Sequence, residues 1–200
     1  MAQRESGYAR VAADLYETPA WVIDALAEHV SLDGKGIWEP ACGTGQMAKA
    51  IKAAGAAYAH ASDIIDHGFS HDTFDFLQEG PCPFLVHYDG IITNPPYGPR
   101  CTTAVAFCES GLKRIQDYGF LALLLPVDFD SAKTRAHLFR DCREFAGKIV
   151  LTQRIKWFEP PPGEKKAGPS ENHAWYLWQR TWIGERQTPR IMYAPSEVAA

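Results

Sequence analysis

The chain has 200 residues, of which 46% are hydrophobic and 12% aromatic, enough for a core and too apolar for a disordered chain. The formal net charge of −4 hides an asymmetry: residues 1–99 carry 5 Lys+Arg against 13 Asp+Glu, whereas residues 100–200 carry 15 against 11. Five cysteines without a Cys-x-x-Cys pair, a polar start and no apolar run of the roughly 18–20 residues a membrane span needs indicate a reduced, cytoplasmic setting without a signal peptide.

Strand and helix signals alternate, which predicts an α/β sheet with parallel strands in a single domain over residues 1–200. Thr18-Pro19 opens the first helix, since threonine caps backbone N–H groups and proline fits the first turn. Trp21, Val22, Ala25, Leu26 and His29 follow at helical spacing. A strand at 36–39 runs into Pro40-Ala41-Cys42-Gly43-Thr44-Gly45, then a helix at 46–54 and a strand at 57–63. Residues 66–84 hold a weak third strand and a short helix. A strand at 88–93 ends at Asn94-Pro95-Pro96-Tyr97. The helix at 101–116 puts Val105, Cys108, Leu112 and Ile115 on one face, and 119–126 is a buried strand. A basic amphipathic helix at 131–145 follows, with Asp128 and Asp130 as its caps, and then a strand at 147–153. The segment 159–171, rich in Pro, Gly, Lys and Glu, is a loop. The last strand, 173–181, sets Trp175 and Leu177 on one face and Tyr176 and Trp178 on the other.

Gly43-x-Gly45-x-x-Ala48 lies between a strand and a helix, where glycines allow a tight turn and close approach of a ligand. Asp63 closes the next strand, 20 residues beyond Gly43, where a carboxylate accepts hydrogen bonds from ribose hydroxyls. The glycines alone leave open a nicotinamide dinucleotide, S-adenosylmethionine and a turn with no ligand. Glu39 favours S-adenosylmethionine, because an acid beside this turn repels a pyrophosphate and attracts an ammonium or sulfonium.

Asn94-Pro95-Pro96-Tyr97 ends an apolar strand on the sheet edge where open α/β folds bind ligands. The two prolines stiffen the chain. The Asn94 side-chain carbonyl and the Pro95 backbone carbonyl can together accept both hydrogens of a planar amine. That frees the nitrogen lone pair from the ring for attack on an electrophile. Tyr97 supplies a ring for stacking on a base.

On these residues the chain resembles the S-adenosylmethionine-dependent amino-methyltransferases, most closely the N6-adenine type that acts on nucleic acid. The resemblance spans about residues 14–181: Tyr16-Glu17-Thr18-Pro19, the run from Glu39 to Gly45, Asp63, Asp75-Phe76 and the Asn94 motif stand in the family's order. It implies a Rossmann-like sheet of seven strands, the last antiparallel, with helices on both faces. It implies that S-adenosylmethionine is held by Tyr16, Thr18, Pro19, Glu39, Pro40, Ala41, Gly43, Gly45, Asp63, Ile64, Asp75, Phe76 and Asn94. Catalysis falls to Asn94, Pro95, Pro96 and Tyr97, and a flipped adenine stacks between Tyr97 and Trp157 or Phe158. No metal is needed, and His67 with His71 is a polar loop.

The partner implied is nucleic acid, DNA before RNA, with no membrane. The face expected to meet it is the 131–145 helix and the 159–171 loop, since the window 133–156 holds seven Lys+Arg against two Asp+Glu. With no separate target-recognition domain, site reading comes from the loops 127–135 and 159–171, from a homodimer partner, or hardly at all. Ribosomal RNA and protein glutamine remain alternative substrates, because the family's enzymes for them share the same tetrapeptide. A nicotinamide-dependent oxidoreductase and a non-enzymatic binding subunit are more remote.

Overall fold

A computed structural model describes residues 16–80, 87–157, 171–181 and 185–195. They form an eight-stranded sheet: β1 (Gly36–Glu39), β2 (Tyr58–Asp63), β3 (Asp72–Thr73), β4 (Gly90–Thr93), β5 (Phe120–Pro126), β6 (Phe145–Leu151), β7 (His173–Gln179) and β8 (Arg190–Ala194). Three helices accompany it, α1 (Ala20–Ala27), α2 (Gln46–Ala53) and α3 (Thr102–Arg114). The strand order is β3-β2-β1-β4-β5-β7-β6-β8. All neighbours are parallel except β7, which inserts antiparallel between β5 and β6.

This is the expected mixed α/β sheet with helices on both faces, but it carries one more strand than expected. The missed strand, β8, pairs parallel to β6 at the sheet edge. Gly147 makes that pairing possible: its φ is +135°, and a Cβ there would strike the backbone of Arg190. The strand presents only Met192 and Ala194 to the core and leaves Ile191 and Tyr193 exposed, so its sequence carries little apolar signal.

Period-two alternation splits the core into two layers. On one face Ala122, Leu124, Ile149, Trp175 and Leu177 meet Val22, Ile23 and Leu26 of α1 and Ile51 of α2. On the other, Leu121, Leu123, Leu125, Tyr176 and Trp178 meet Ala104, Phe107 and Cys108 of α3. The buried indoles are each hydrogen-bonded. Trp175 Nε1 donates to Val22 O (2.8 Å), Trp38 Nε1 to Ser62 Oγ (2.9 Å) and Trp178 Nε1 to Leu138 O (2.7 Å).

The basic helix expected at 131–145 is absent. Two 3-10 turns stand there instead, Phe129–Ser131 and Lys133–Leu138, separated by Ala132 in an extended conformation (ψ 125°). Arg135 is drawn instead to carbonyls outside the segment. The Arg135 guanidinium donates to Phe129 O (2.7 Å) and Arg100 O (3.2 Å) and lies 4.0 Å from the Phe129 ring centroid. Asp128 and Asp130 are not side-chain caps either. Asp130 pairs with Lys148 Nζ at 2.8 Å and accepts the Tyr176 hydroxyl at 3.2 Å. At the other end, α1 begins after Pro19 with no side-chain cap, because Thr18 is used elsewhere.

Candidate active site

The carboxyl edges of β1, β2 and β4 enclose a cavity of about 330 Å³. Each edge brings one turn. After β1 the chain runs Pro40-Ala41-Cys42-Gly43-Thr44-Gly45 into α2, and Gly45 sits in the left-handed region (φ 82°). A Cβ on Gly45 would land on the Phe69 ring, so this turn is packed from beneath. Asp63 at the end of β2 braces it. Its Oδ2 accepts Gly43 N–H at 2.8 Å and its Oδ1 accepts Ile65 N–H at 3.1 Å. A carboxylate offers about four acceptor sites, so two remain for a ligand.

Glu39 is the most constrained group in the cavity. It is 2% exposed, and its Oε2 has no hydrogen-bond partner among the described residues. Burial pushes its pKa well above the ordinary carboxylate value, and the neighbouring Asp63 charge pushes the same way, against a backbone hydrogen bond from Ala48. A buried unpaired oxygen at the cavity wall is placed to take a donor from a bound molecule or a water. The same burial, with Glu39 and Asp63 nearby, drives the Cys42 thiol up to about 12, which keeps it from acting as a thiolate nucleophile.

The residues before α1 form the opposite wall. Tyr16, Glu17 and Thr18 line the cavity, and Thr44 Oγ1 donates to Glu17 Oε1 at 2.6 Å. Glu17 lay inside a motif the sequence singled out, yet its bond to Thr44 depends on folding. Thr18 Oγ1 accepts the Asn94 Nδ2 hydrogen at 3.2 Å, and this leaves the buried Asn94 Oδ1 without a partner. Asn94 lines the same cavity.

The cavity also brings together Pro40, Ala41, Gly43, Ile64, Asp75 and Phe76. Ile64 is 61% exposed, an aliphatic side chain open to solvent at the rim. Asp75 Oδ1 accepts Leu77 N–H at 2.8 Å, an Asx turn that orients the carboxylate. The Phe76 ring faces the core, edge-on to Trp38 at 5.1 Å. Pro96 lines the cavity; Pro19, Gly45, Pro95 and Tyr97 do not. His67 lines it too, whereas His71 Nδ1 accepts Ala61 N–H at 3.0 Å. Among the described residues no group of three or more His, Cys, Asp or Glu is placed to hold a metal ion.

Beyond Asn94 the chain leads to a second, aromatic region. Tyr97 is half-buried and donates its hydroxyl to Leu124 O at 3.2 Å. Its ring lies 6.2 Å from His173, His173 lies 5.4 Å from Trp157, and Trp157 lies 5.8 Å from Tyr16. Trp157, expected as a stacking residue, therefore stands within one aromatic row with Tyr97. Phe158 and residues 159–170 lie outside the described residues. Arg100 and Cys101, just past the motif, both have positive φ (52° and 61°), a strained pair of the kind that clusters at functional sites.

No protein-family model and no curated protein matches the chain. Solved structures match it in shape. The modification subunit of a provisionally named type I restriction enzyme from Vibrio vulnificus superposes with a TM-score of 0.62 at 15% identity, over 94% of this chain and 49% of that one. A provisionally named class I S-adenosylmethionine-dependent methyltransferase from Listeria monocytogenes gives 0.56 at 16% identity, over 88% of this chain and 62% of that one. The 16S rRNA N2 G1207 methyltransferase of T. thermophilus, solved with S-adenosylmethionine and guanosine, gives 0.52 at 14% identity, over 84% of this chain and 44% of that one. The chain thus spans less than two thirds of each of these proteins, and under half of two of them. The likeness shows the fold, which is the Rossmann-like fold of class I methyltransferases.

Proposed function

We propose that the protein transfers a methyl group from S-adenosylmethionine to the exocyclic N6 amine of adenine in nucleic acid, DNA before RNA. The observation that carries this reading is Asn94, whose Nδ2 is tied to Thr18 while its buried Oδ1 stands bare.

The cavity suits a cationic ligand without phosphates. Glu39 Oε2 has no partner, and Glu17, Asp63 and Asp75 surround the same space. These acids would repel the pyrophosphate of a nicotinamide dinucleotide. In this reading Glu39 faces the ammonium, Asp63 the ribose hydroxyls and Asp75 the adenine amine of the cofactor. Tyr16, Thr18, Pro40, Ala41, Gly43, Ile64 and Phe76 complete the walls, while Pro19 and Gly45 shape the turns behind them. When bound, S-adenosylmethionine supplies an electrophilic methyl on a sulfonium.

The chain's own residues prepare the acceptor. Asn94 Oδ1 and the Pro95 carbonyl take the two amine hydrogens and draw the nitrogen lone pair out of conjugation with the ring; the methylated nitrogen, an acidic cation, then releases one of those hydrogens as a proton to water. Pro96 keeps the turn rigid, and Tyr97 and Trp157 supply stacking faces. Alignment and hydrogen-bond polarisation do the catalysis, without a strong base. Flipping the base costs a few kcal/mol in duplex and less in single strands.

Asn94→Ala should abolish methyl transfer to DNA while cofactor affinity stays within about twofold, since a lost acceptor acts on the amine and not on the acidic wall. Labelled cofactor and nucleoside analysis check this. Normal turnover by the variant would remove Asn94 from catalysis. Methyl-guanine as product would instead favour the second reading, a ribosomal RNA methyltransferase like the T. thermophilus neighbour.

A further inference from the structure

Beyond β3 the chain leaves the sheet while it still lines the cavity. Phe74 N–H donates to Asp63 O at 2.8 Å, and residues 75–80 form neither strand nor helix. Phe74, Asp75, Phe76 and Leu77 all line the cavity. Asp75 is held by its own turn: Oδ1 accepts Leu77 N–H at 2.8 Å, and its backbone carbonyl accepts Gln78 N–H at 3.1 Å. Those bonds shape the turn but do not fix it to the rest of the fold.

The anchor comes from α3. Phe107, Ser110 and Arg114 follow at spacings of three and four, which sets them on one helix face. The Phe107 ring lies 5.1 Å from the Phe76 ring. Ser110 Oγ donates to Phe76 O at 2.6 Å. The Arg114 guanidinium donates to Ser110 Oγ at 3.2 Å, to Gln78 O at 2.6 Å and to Gly80 O at 3.2 Å. Two side chains thus hold the alternate carbonyls of Phe76, Gln78 and Gly80. The guanidinium also lies 5.5 Å from the Phe74 and Phe76 ring centroids and 6.0 Å from that of Trp38. Arg114 forms no ion pair among the described residues. Its donors are all directed at the segment that carries Asp75 and at the serine that helps hold it.

We propose that Arg114, with Ser110, is a positioning residue that sets the selectivity of the cofactor site for an adenine, by fixing the segment that aims Asp75 into the cavity. This rests on the cofactor reading above, in which Asp75 faces the adenine amine. A carboxylate discriminates an amine from a carbonyl oxygen only while it is held in register with that edge of the base, because a hydrogen bond weakens steeply with distance and angle. A planar fork of fixed donors can hold two carbonyls at once, which a lysine's single ammonium does less well.

The test is equilibrium binding of S-adenosylhomocysteine and of S-inosylhomocysteine, in which a carbonyl oxygen replaces the amine, to the full chain. Wild type should bind the first at least about tenfold more tightly, the scale of one hydrogen bond to a charged group. Arg114→Met should weaken S-adenosylhomocysteine about tenfold and leave S-inosylhomocysteine within about twofold, so that the ratio collapses. Partial unfolding lowers both affinities by the same factor and leaves the ratio unchanged, so a merely structural role does not move it. Ser110→Ala should lower the ratio by a smaller factor. Asp75→Ala should abolish it, and Arg114→Met should add no further change in the ratio on that background. An unchanged ratio in Arg114→Met, or in Ser110→Ala where Arg114→Met does not fold, would overturn the role of Arg114 and leave the cofactor reading standing. A wild-type ratio near one, or no wild-type binding of either molecule, would overturn both.

Discussion

Glu39 carries a conflict between stability and binding. Its pKa is raised by burial first and by Asp63 second, so ionisation is costly in the folded state. The sign follows from proton uptake. Between the ordinary carboxylate pKa and the raised one, the folded chain holds a proton that the unfolded chain has released. Folding is therefore favoured most at low pH on account of this group, and that contribution is lost as pH rises through the folded value. Glu39→Gln removes the charge and keeps the shape. Without cofactor, it should melt higher than wild type at pH 8, and the difference should vanish near pH 4. The same variant should bind S-adenosylmethionine at least about tenfold more weakly, because a charged acceptor facing an ammonium contributes more than a neutral one. Thermal melts across pH and a cofactor titration check both halves. A variant that melts lower at pH 8 would show that Glu39 is paired and charged in the resting protein.

The glycine turn and the β5 exit loop show what holds these functional elements in place. Gly45 is caught between a left-handed backbone and the Phe69 ring. Gly45→Ala should cost about 1–3 kcal/mol from strain and overpacking together. Adding Phe69→Ala should recover only the packing part, and denaturant melts of the single and double variants separate the two. After β5, residues 127–131 are pinned by Lys148, which donates to Val127 O at 3.1 Å and pairs with Asp130. Both charges are largely buried, at 15% and 27% exposure. Lys148→Met should therefore destabilise by about 2 kcal/mol, less than a fully buried pair would. Lys148→Met with Asp130→Leu should recover most of that in thermal melts.

These elements also show what could be read from residues alone. The strands were legible because Leu121, Leu123 and Leu125 alternate with Ala122 and Leu124, and because Trp175 and Tyr176 must face opposite layers. The glycine turn and Asn94 were legible because their chemistry is local. The 131–145 segment was not. Its amphipathic spacing suits a helix, but Arg135 binds two distant carbonyls that no local pattern reveals. Thr18 looked like a cap and serves Asn94, 76 residues away. Phe69 matters through its packing beneath Gly45, so nothing in its local sequence marks it.

At the scale of the molecule, charge separates the two halves. The cavity gathers Glu17, Glu39, Asp63 and Asp75 from the acidic half, which repels a phosphate backbone from that opening. The proposed nucleic-acid substrate would approach over the basic half, where several cations are already engaged. Arg135 is tied to backbone carbonyls, Lys148 to Asp130 and Arg140 to Asp141. Arg100, Lys133, Arg143 and Lys156 are exposed and form no ion pair among the described residues. If these four meet phosphates, the logarithm of affinity for duplex DNA should fall against the logarithm of salt with a slope of about −3 to −4. Replacing Lys156, next to Trp157, with alanine should reduce that slope by about one and weaken all sequences alike. Arg135→Met should lower stability and leave the slope unchanged. Fluorescence anisotropy across a salt series measures all three. A flat response would turn the substrate search towards protein glutamine, because a neutral side-chain amide asks nothing of this basic surface.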